Sequence, residues 1–232
     1  MSRSEPDFDA LEGAVSAVRQ LVTHLRKTTA DPELLERVAK EASALNDALA
    51  PFDHAGPFQQ RKLILLDDDD GKTPPATKDA AEYFPYSPVV GPLNPIAPKI
   101  AFELKDREYH ATHVFEPQFN GPPTAVHGGI VALVFDELLG ALGAILEVGG
   151  FTGTLKVVYR SLTPLHQPVR MRSWIEGEEG VKTFIKGTMH TTDPDGTERL
   201  CAEAEGIFIR PKTSVLEHAL AKGREQGRER NA

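Results

Sequence analysis

The chain has 232 residues, of which 40% are hydrophobic and 26% are charged, an ordinary composition for a globular protein of one or two domains. Its formal net charge of -8 argues against a nucleic-acid-binding protein, because such proteins present a basic face. The single cysteine, Cys201, excludes an intramolecular disulfide and is expected to be a packing residue within a strand.

Residues 1–50 are predicted to form a helical hairpin, since apolar residues recur at three- and four-residue spacing in both halves. Asp31-Pro32-Glu33 is typical of a helix start, with a cap, a proline in the first turn and an acid. We expect the hairpin to pack on the main domain or on a partner subunit. The N-terminal sequence lacks the apolar core of a signal peptide, so a cytoplasmic protein is expected.

Residues 51–98 are rich in proline and are predicted to be a linker that wraps over the domain as a coil. The acidic run Asp67–Asp70 is interpreted as solvated linker, because the ligand spacing and the terminal glutamate of a calcium loop are missing. No metal site is predicted. Residues 213–232 are predicted to be a charged, frayed tail.

Residues 99–212 are predicted to form an α+β domain. A helix that is apolar on all sides runs from His127 or Gly128 to about Val148, and such a helix must be wrapped by a sheet. Asp136 and Glu137 near its middle argue against a membrane span. The predicted strands are 100–104 and 108–119 before the helix, and 152–161, 169–176, 181–191 and 199–209 after it.

The chemistry is predicted to lie on this helix. Gly128 and Gly129 leave backbone N–H groups unobstructed at its start, where an oxygen that becomes negative can be held. Asp136 lies about two turns further along, and a carboxylate in an apolar helix is costly unless it is paired or used. Each feature alone has a structural explanation, whereas the combination favours catalysis. Glu137, about 100° further round the helix, is predicted at an interface or solvent edge.

His127-Gly128-Gly129, followed nine residues after the histidine by Asp136, resembles the motif of the PaaI-like hotdog acyl-CoA thioesterases. Further similarities are the Gly121-Pro122-Pro123 lead-in, the Leu155–Arg160 strand and the position of Thr152 seven residues before Tyr159. The resemblance implies a hotdog fold, with an antiparallel sheet wrapped around the central helix. It also implies hydrolysis of an acyl-CoA thioester, with no cofactor beyond the CoA of the substrate.

The resemblance implies a role for each residue of the motif. Asp136 is expected to act as general base or as nucleophile, and the N–H of Gly128 or Gly129 to polarise the thioester carbonyl. Thr152 is expected to position water or the carboxylate, and His127 to orient the loop. A homodimer or homotetramer is implied, in which Asp136 of one subunit faces the glycine-rich turn of another.

Substrate contacts are predicted at Asn120, Thr154 and Arg160. Relatives often carry an Asn or Gln where this chain has Gly121, so Asn120 lies one place off the family pattern. Four cationic side chains are candidates for the phosphates of CoA: Arg160, Arg170, Arg172 and Lys186.

Two alternatives stay open from the sequence. A non-catalytic, acyl-CoA-binding hotdog regulator would keep the fold without turnover, and the N-terminal extension makes this alternative relevant. A hotdog enoyl-CoA hydratase is disfavoured, because the Asp-x-Asn-x-x-His pattern of such hydratases is not found. The sequence does not predict the acyl chain.

Overall fold

The computed structural model describes residues 7–53, 60 and 77–211. The acidic run Asp67–Asp70 and the predicted tail 213–232 lie outside these residues. The helices are α1 (Phe8–Lys27), α2 (Pro32–Leu49), α3 (Ala80–Tyr83) and α4 (Gly128–Ile145), with 3₁₀ turns at Ala50–Phe52 and Pro117–Phe119. The strands are β1 (Glu103–Lys105), β2 (Glu108–Val114), β3 (Phe151–Tyr159), β4 (Pro168–Glu179), β5 (Lys182–Thr192) and β6 (Glu198–Ile209).

The six strands form one antiparallel sheet in the order β1-β2-β4-β5-β6-β3, which leaves β3 at an edge. Tight turns join β1 to β2, β4 to β5 and β5 to β6. Asp106 and Arg107 both have positive φ, the geometry of a two-residue hairpin turn between β1 and β2. The turn between β5 and β6 is closed by the N–H of Gly196, which donates to the carbonyl of Asp193 at 2.8 Å.

Helix α4 contacts strands β2 to β6 and supplies the centre of the core. Although α4 is long and apolar enough to cross a membrane, in this fold it is the core helix, with Phe135, Leu138 and Leu139 fully buried. Gly187 on β5 permits the close approach, because a Cβ there would lie 2.9 Å from Cδ1 of Leu139. The predicted sheet around a central helix is therefore confirmed.

The two N-terminal helices have different surroundings. The predicted start of α2 is confirmed, since the Asp31 carboxylate accepts from the N–H of Leu34 at 2.8 Å. No residue of α2 is buried. Helix α1 packs on the main domain, where the Arg19 guanidinium donates to the carbonyls of Pro92, Asn94 and Ala97. The predicted hairpin thus contacts the domain through its first helix.

The coil before β1 is part of the core. Val89, Val90 and Ile100 are almost completely buried, and the Ser87 hydroxyl accepts from the N–H groups of Val89 and Val90. The predicted boundary at residue 99 therefore falls inside the packed unit. Sequence periodicity does not identify such a segment, because an irregular coil can bury apolar residues without a repeating pattern.

Candidate active site

The His127-Gly128-Gly129 turn begins α4, and His127 is its N-terminal cap. Nδ1 of His127 accepts a hydrogen bond from the N–H of Gly129 at 3.0 Å. The carbonyl of His127 accepts from the N–H groups of Ile130 and Val131 at 2.9 and 3.1 Å. The imidazole therefore holds the turn in place. This is the position from which His127 can orient the loop, as expected from the sequence.

The Gly128 N–H is the donor that this arrangement leaves available. The Gly129 N–H is occupied by His127, whereas no described residue accepts from the N–H of Gly128. The Tyr159 hydroxyl donates to the carbonyl of Gly128 at 2.8 Å and holds the next peptide plane. An N–H without a partner at a helix start can bind an oxyanion. Sequence reasoning used Tyr159 only as a spacing marker and missed this contact.

Asp136 lies half-buried on α4, beside the edge strand β3. The Thr152 hydroxyl donates to its Oδ1 at 2.9 Å. A bulge at Gly153 allows this contact, because it shifts the register of β3 against β6 between Thr152 and Thr154. Thr152 consequently pairs with the buried Phe208 and faces α4. The structure thus brings together the predicted pair of acid and hydroxyl.

The Gly128 N–H and the Asp136 carboxylate are well separated within one chain. Eight residues along a helix correspond to a rise of about 12 Å. This rise along the helix axis is several times the distance of about 3 to 3.5 Å between directly reacting atoms.

The environment of Glu137 differs from the predicted one, which was an interface or a solvent edge. Its Oε1 is buried and has no hydrogen-bond partner among the described residues. Burial raises the pKa of this carboxyl, against the opposing effect of a hydrogen bond with Ser87. Helix geometry predicted the side of α4 on which Glu137 lies. It did not predict that the coil at residues 87–90 covers this side chain.

Asn120 faces the N-terminal extension and not Asp136. Its Nδ2 donates to the carbonyls of Gly121 and Pro122 at 3.0 Å, and its Oδ1 accepts from Arg26 at 3.0 Å. Gly121 has no room for the amide side chain that relatives carry, because a Cβ there would lie 2.6 Å from Cα of His127. This close approach explains the departure from the family pattern.

Thr154 and Arg160 lie away from Asp136. The bulge places Thr154 opposite Ile207, on the sheet face that points away from α4. Arg160 forms an ion pair with Glu203. The other three predicted phosphate ligands are also paired, in Arg170–Glu198 at 2.6 Å, Arg172–Glu108 at 2.6 Å and Lys186–Glu176 at 3.1 Å. Each of the four cations is therefore neutralised by a carboxylate.

Cys201 is fully buried, and burial raises the pKa of its thiol, as suits the predicted packing residue. Among the residues that the structure describes, no group of three His, Cys, Asp or Glu side chains could hold a metal ion. The candidate groups for chemistry are the Gly128 N–H and the Asp136–Thr152 pair.

Comparison with known proteins finds thioesterases in both sequence and structure. No family model matches the sequence. The chain is 36% identical over 95 residues to acyl-coenzyme A thioesterase THEM4 of Xenopus laevis, a match to 40% of this chain and 41% of that protein. It is 33% identical over 90 residues to THEM4 of Mus musculus, covering 39% of this chain and 37% of the relative. The chain thus spans about two fifths of the length of these relatives.

One solved structure matches almost the whole fold. It is the crystal structure of a thioesterase superfamily protein, with a TM-score of 0.69 and 28% identity. The match covers 86% of this chain and 94% of the other, which is more than the hotdog domain alone. In this likeness, in the helix wrapped by an antiparallel sheet and in the His-Gly-Gly turn on the helix of Asp136, the chain is similar to the PaaI-like hotdog-fold thioesterases.

Proposed function

We propose that this protein is an acyl-CoA thioesterase, which hydrolyses its substrate to a free acid and CoA. The observation that carries the proposal is the Gly128 N–H without a partner at the start of the helix that bears Asp136. Both of the relatives described above are named acyl-coenzyme A thioesterases, which supports the same substrate class.

In the proposed reaction, the thioester carbonyl oxygen accepts a hydrogen bond from the Gly128 N–H. Asp136 takes a proton from water while the water oxygen attacks the carbonyl carbon. The negative charge that develops on the oxygen is held by the Gly128 N–H and the dipole of α4. The C–S bond then breaks, and the CoA thiolate receives the proton. Thr152 donates to Oδ1 of Asp136, which leaves Oδ2 for the proton. Direct attack by Asp136 through an anhydride uses the same groups.

We propose that the site is completed across a homodimer. The separation of Gly128 and Asp136 along α4 favours a site in which a second copy supplies the acid. Strand β3 is an unpaired edge with exposed residues, among them Phe151 at 59% exposure. Two copies joined at this edge by a two-fold axis would set their α4 helices antiparallel. Asp136 of the partner subunit would then face the Gly128 turn.

The activity is tested by measuring CoA release from short, long and aryl acyl-CoAs. Release by the wild type, absent with heat-denatured protein, is the expected result. Hydration of an enoyl-CoA without CoA release would instead indicate the hydratase. That alternative is disfavoured, because Nδ1 of His127 is committed to the N–H of Gly129. Tight binding of acyl-CoA without turnover would indicate the regulator.

The composite site predicts complementation between two inactive variants. Asp136→Asn and Gly128→Pro remove different halves of the site. Their heterodimer contains one intact site and one site with both changes, so we expect about half of the wild-type rate per dimer. The measurement uses co-expressed chains with two different tags and tandem purification. A heterodimer as inactive as the two homodimers would contradict a site shared between subunits.

A further inference from the structure

Helix α1 covers a cavity beside the first turns of α4. The cavity has a volume of about 250 Å³ and mostly apolar walls. Val22 lines it from α1, residues 88–98 supply part of the coil side, and Ile130, Leu133 and Val134 line it from α4. Its walls therefore join the N-terminal extension to the catalytic helix.

The cavity adjoins the proposed reaction centre. Phe119 lines the cavity, and its carbonyl accepts from the N–H of His127 at 2.9 Å. Ile130 lines the cavity and follows Gly128 by two residues. The cavity therefore lies close to the turn whose Gly128 N–H is proposed to hold the carbonyl oxygen of the acyl group.

We propose that this cavity receives the acyl group and that Val22 limits its size. The inference rests on the proposed thioesterase function. The volume exceeds the roughly 150 Å³ of an apolar cavity that binds benzene, and lies below the roughly 300 Å³ at which drug-sized ligand pockets begin. The acyl groups that fit are aryl or short to medium aliphatic groups, and a long chain does not fit.

The α1 wall of the cavity is held in place. Three hydrogen bonds from the Arg19 guanidinium to backbone carbonyls of the coil lie one turn before Val22. Arg19 itself lines the cavity. A side chain at position 22 therefore projects from a fixed support, and a larger residue there must reduce the space for the ligand.

The test compares Val22→Phe and Val22→Ala with Val18→Phe as the matched control. Val18 lies one turn earlier on α1, has similar exposure (47% against 40% for Val22) and does not line the cavity. The measured quantity is kcat/KM for acetyl-, hexanoyl-, phenylacetyl- and palmitoyl-CoA. We expect Val22→Phe to lower kcat/KM for hexanoyl- and phenylacetyl-CoA about tenfold relative to acetyl-CoA, and Val22→Ala to shift the preference towards longer chains.

The same acyl preference in all four proteins would overturn the inference, even while the wild type hydrolyses acyl-CoA. If the wild type hydrolyses none of the four acyl-CoA thioesters, the proposed function is contradicted instead. In that case the acyl-length dependence of binding, measured by calorimetry with the same variants, still decides whether the cavity holds the acyl group. Thermal unfolding of each variant identifies a protein that has lost its fold.

A second cavity, of about 600 Å³, borders the loop before His127. Its polar lining includes Asn120, Thr124, Arg26, His166 and Arg199. Its walls are tied together, because the N–H of Leu165 donates to the carbonyl of Thr124 at 3.0 Å. Unlike the four strand cations, Arg26 has no carboxylate partner among the described residues, and its guanidinium donates to the neutral amide of Asn120.

We infer that this second cavity binds the phosphates of CoA and that Arg26 is one of their ligands. A guanidinium without a paired acid is suited to phosphate, to which it makes charge-assisted hydrogen bonds. The inference also rests on the proposed function. With Arg26 as a phosphate ligand, α1 makes a second contact with the substrate. This contact is separate from the acyl cavity and is tested with a different substrate.

Arg26→Ala is expected to raise KM for an acyl-CoA about tenfold and to leave KM for the corresponding acyl-pantetheine, which has no phosphate, unchanged. Lys27→Ala is the matched control, because the Lys27 ammonium is already paired with Glu116 at 3.1 Å. A similar increase for both thioesters, or no increase for either, would overturn the assignment. If the wild type is inactive, the affinities of CoA and pantetheine make the same comparison.

Discussion

Replacing Asp136 by asparagine is expected to lower kcat for acyl-CoA hydrolysis by about 10² to 10⁴. An amide cannot take a proton from water or form an acyl anhydride, whereas its shape matches that of the carboxylate. The Thr152 hydroxyl, which donates to Oδ1 at 2.9 Å, can still donate to the amide oxygen. Steady-state CoA release measures the effect, and thermal unfolding checks that the variant is folded.

The matched control is Glu137→Gln, which removes a carboxyl from the adjacent position of the same helix. Glu137 is covered by the coil at residue 87 and takes no part in the proposed chemistry. The activity of the Glu137→Gln variant should therefore stay close to that of the wild type. Equal rates for Asp136→Asn and the wild type would remove Asp136 from the mechanism.

Gly128→Pro is expected to lower kcat by about 10² to 10³, the effect of losing one oxyanion donor. The substitution removes the Gly128 N–H and little else. Proline is well accommodated at the first position of a helix, and the preceding His127 already has the extended conformation that a following proline requires, with φ −62° and ψ 134°. The measurement is CoA release with saturating substrate.

Gly128→Ala serves as the control, because alanine keeps the N–H. A Cβ at this position would lie 3.5 Å from the Tyr159 ring, an ordinary contact, so the fold should tolerate it. Similar losses in the proline and alanine variants would show that the added Cβ atom, and not the missing donor, causes the effect.

Much of the fold follows from patterns within short segments. The apolar length of α4 predicted a helix inside a sheet, and the strand ranges 152–161 and 169–176 lie close to the observed β3 and β4. The spacing from His127 to Asp136 located the turn and the acid on one helix. These features depend on local geometry, which a single sequence records directly.

The remaining features depend on residues that are distant in sequence. The pairing of Arg172 with Glu108 follows from the alignment of β2 with β4, and nothing near Arg172 in the sequence indicates it. The contact of Asn120 with Arg26 joins two segments 94 residues apart. The burial of Glu137 likewise requires the coil around Ser87. Such contacts are set by packing and were therefore missed.

The bulge at Gly153 shows how strand length can govern chemistry. Side chains alternate between the two faces of a strand, so one extra residue inverts everything on one side of it. Deleting Gly153 would keep every other residue of β3 but rotate Thr152 outwards and leave Asp136 without its hydroxyl partner. A heritable insertion or deletion of one residue at this position would thus form or remove the hydrogen bond from Thr152 to Asp136. No catalytic side chain would be altered.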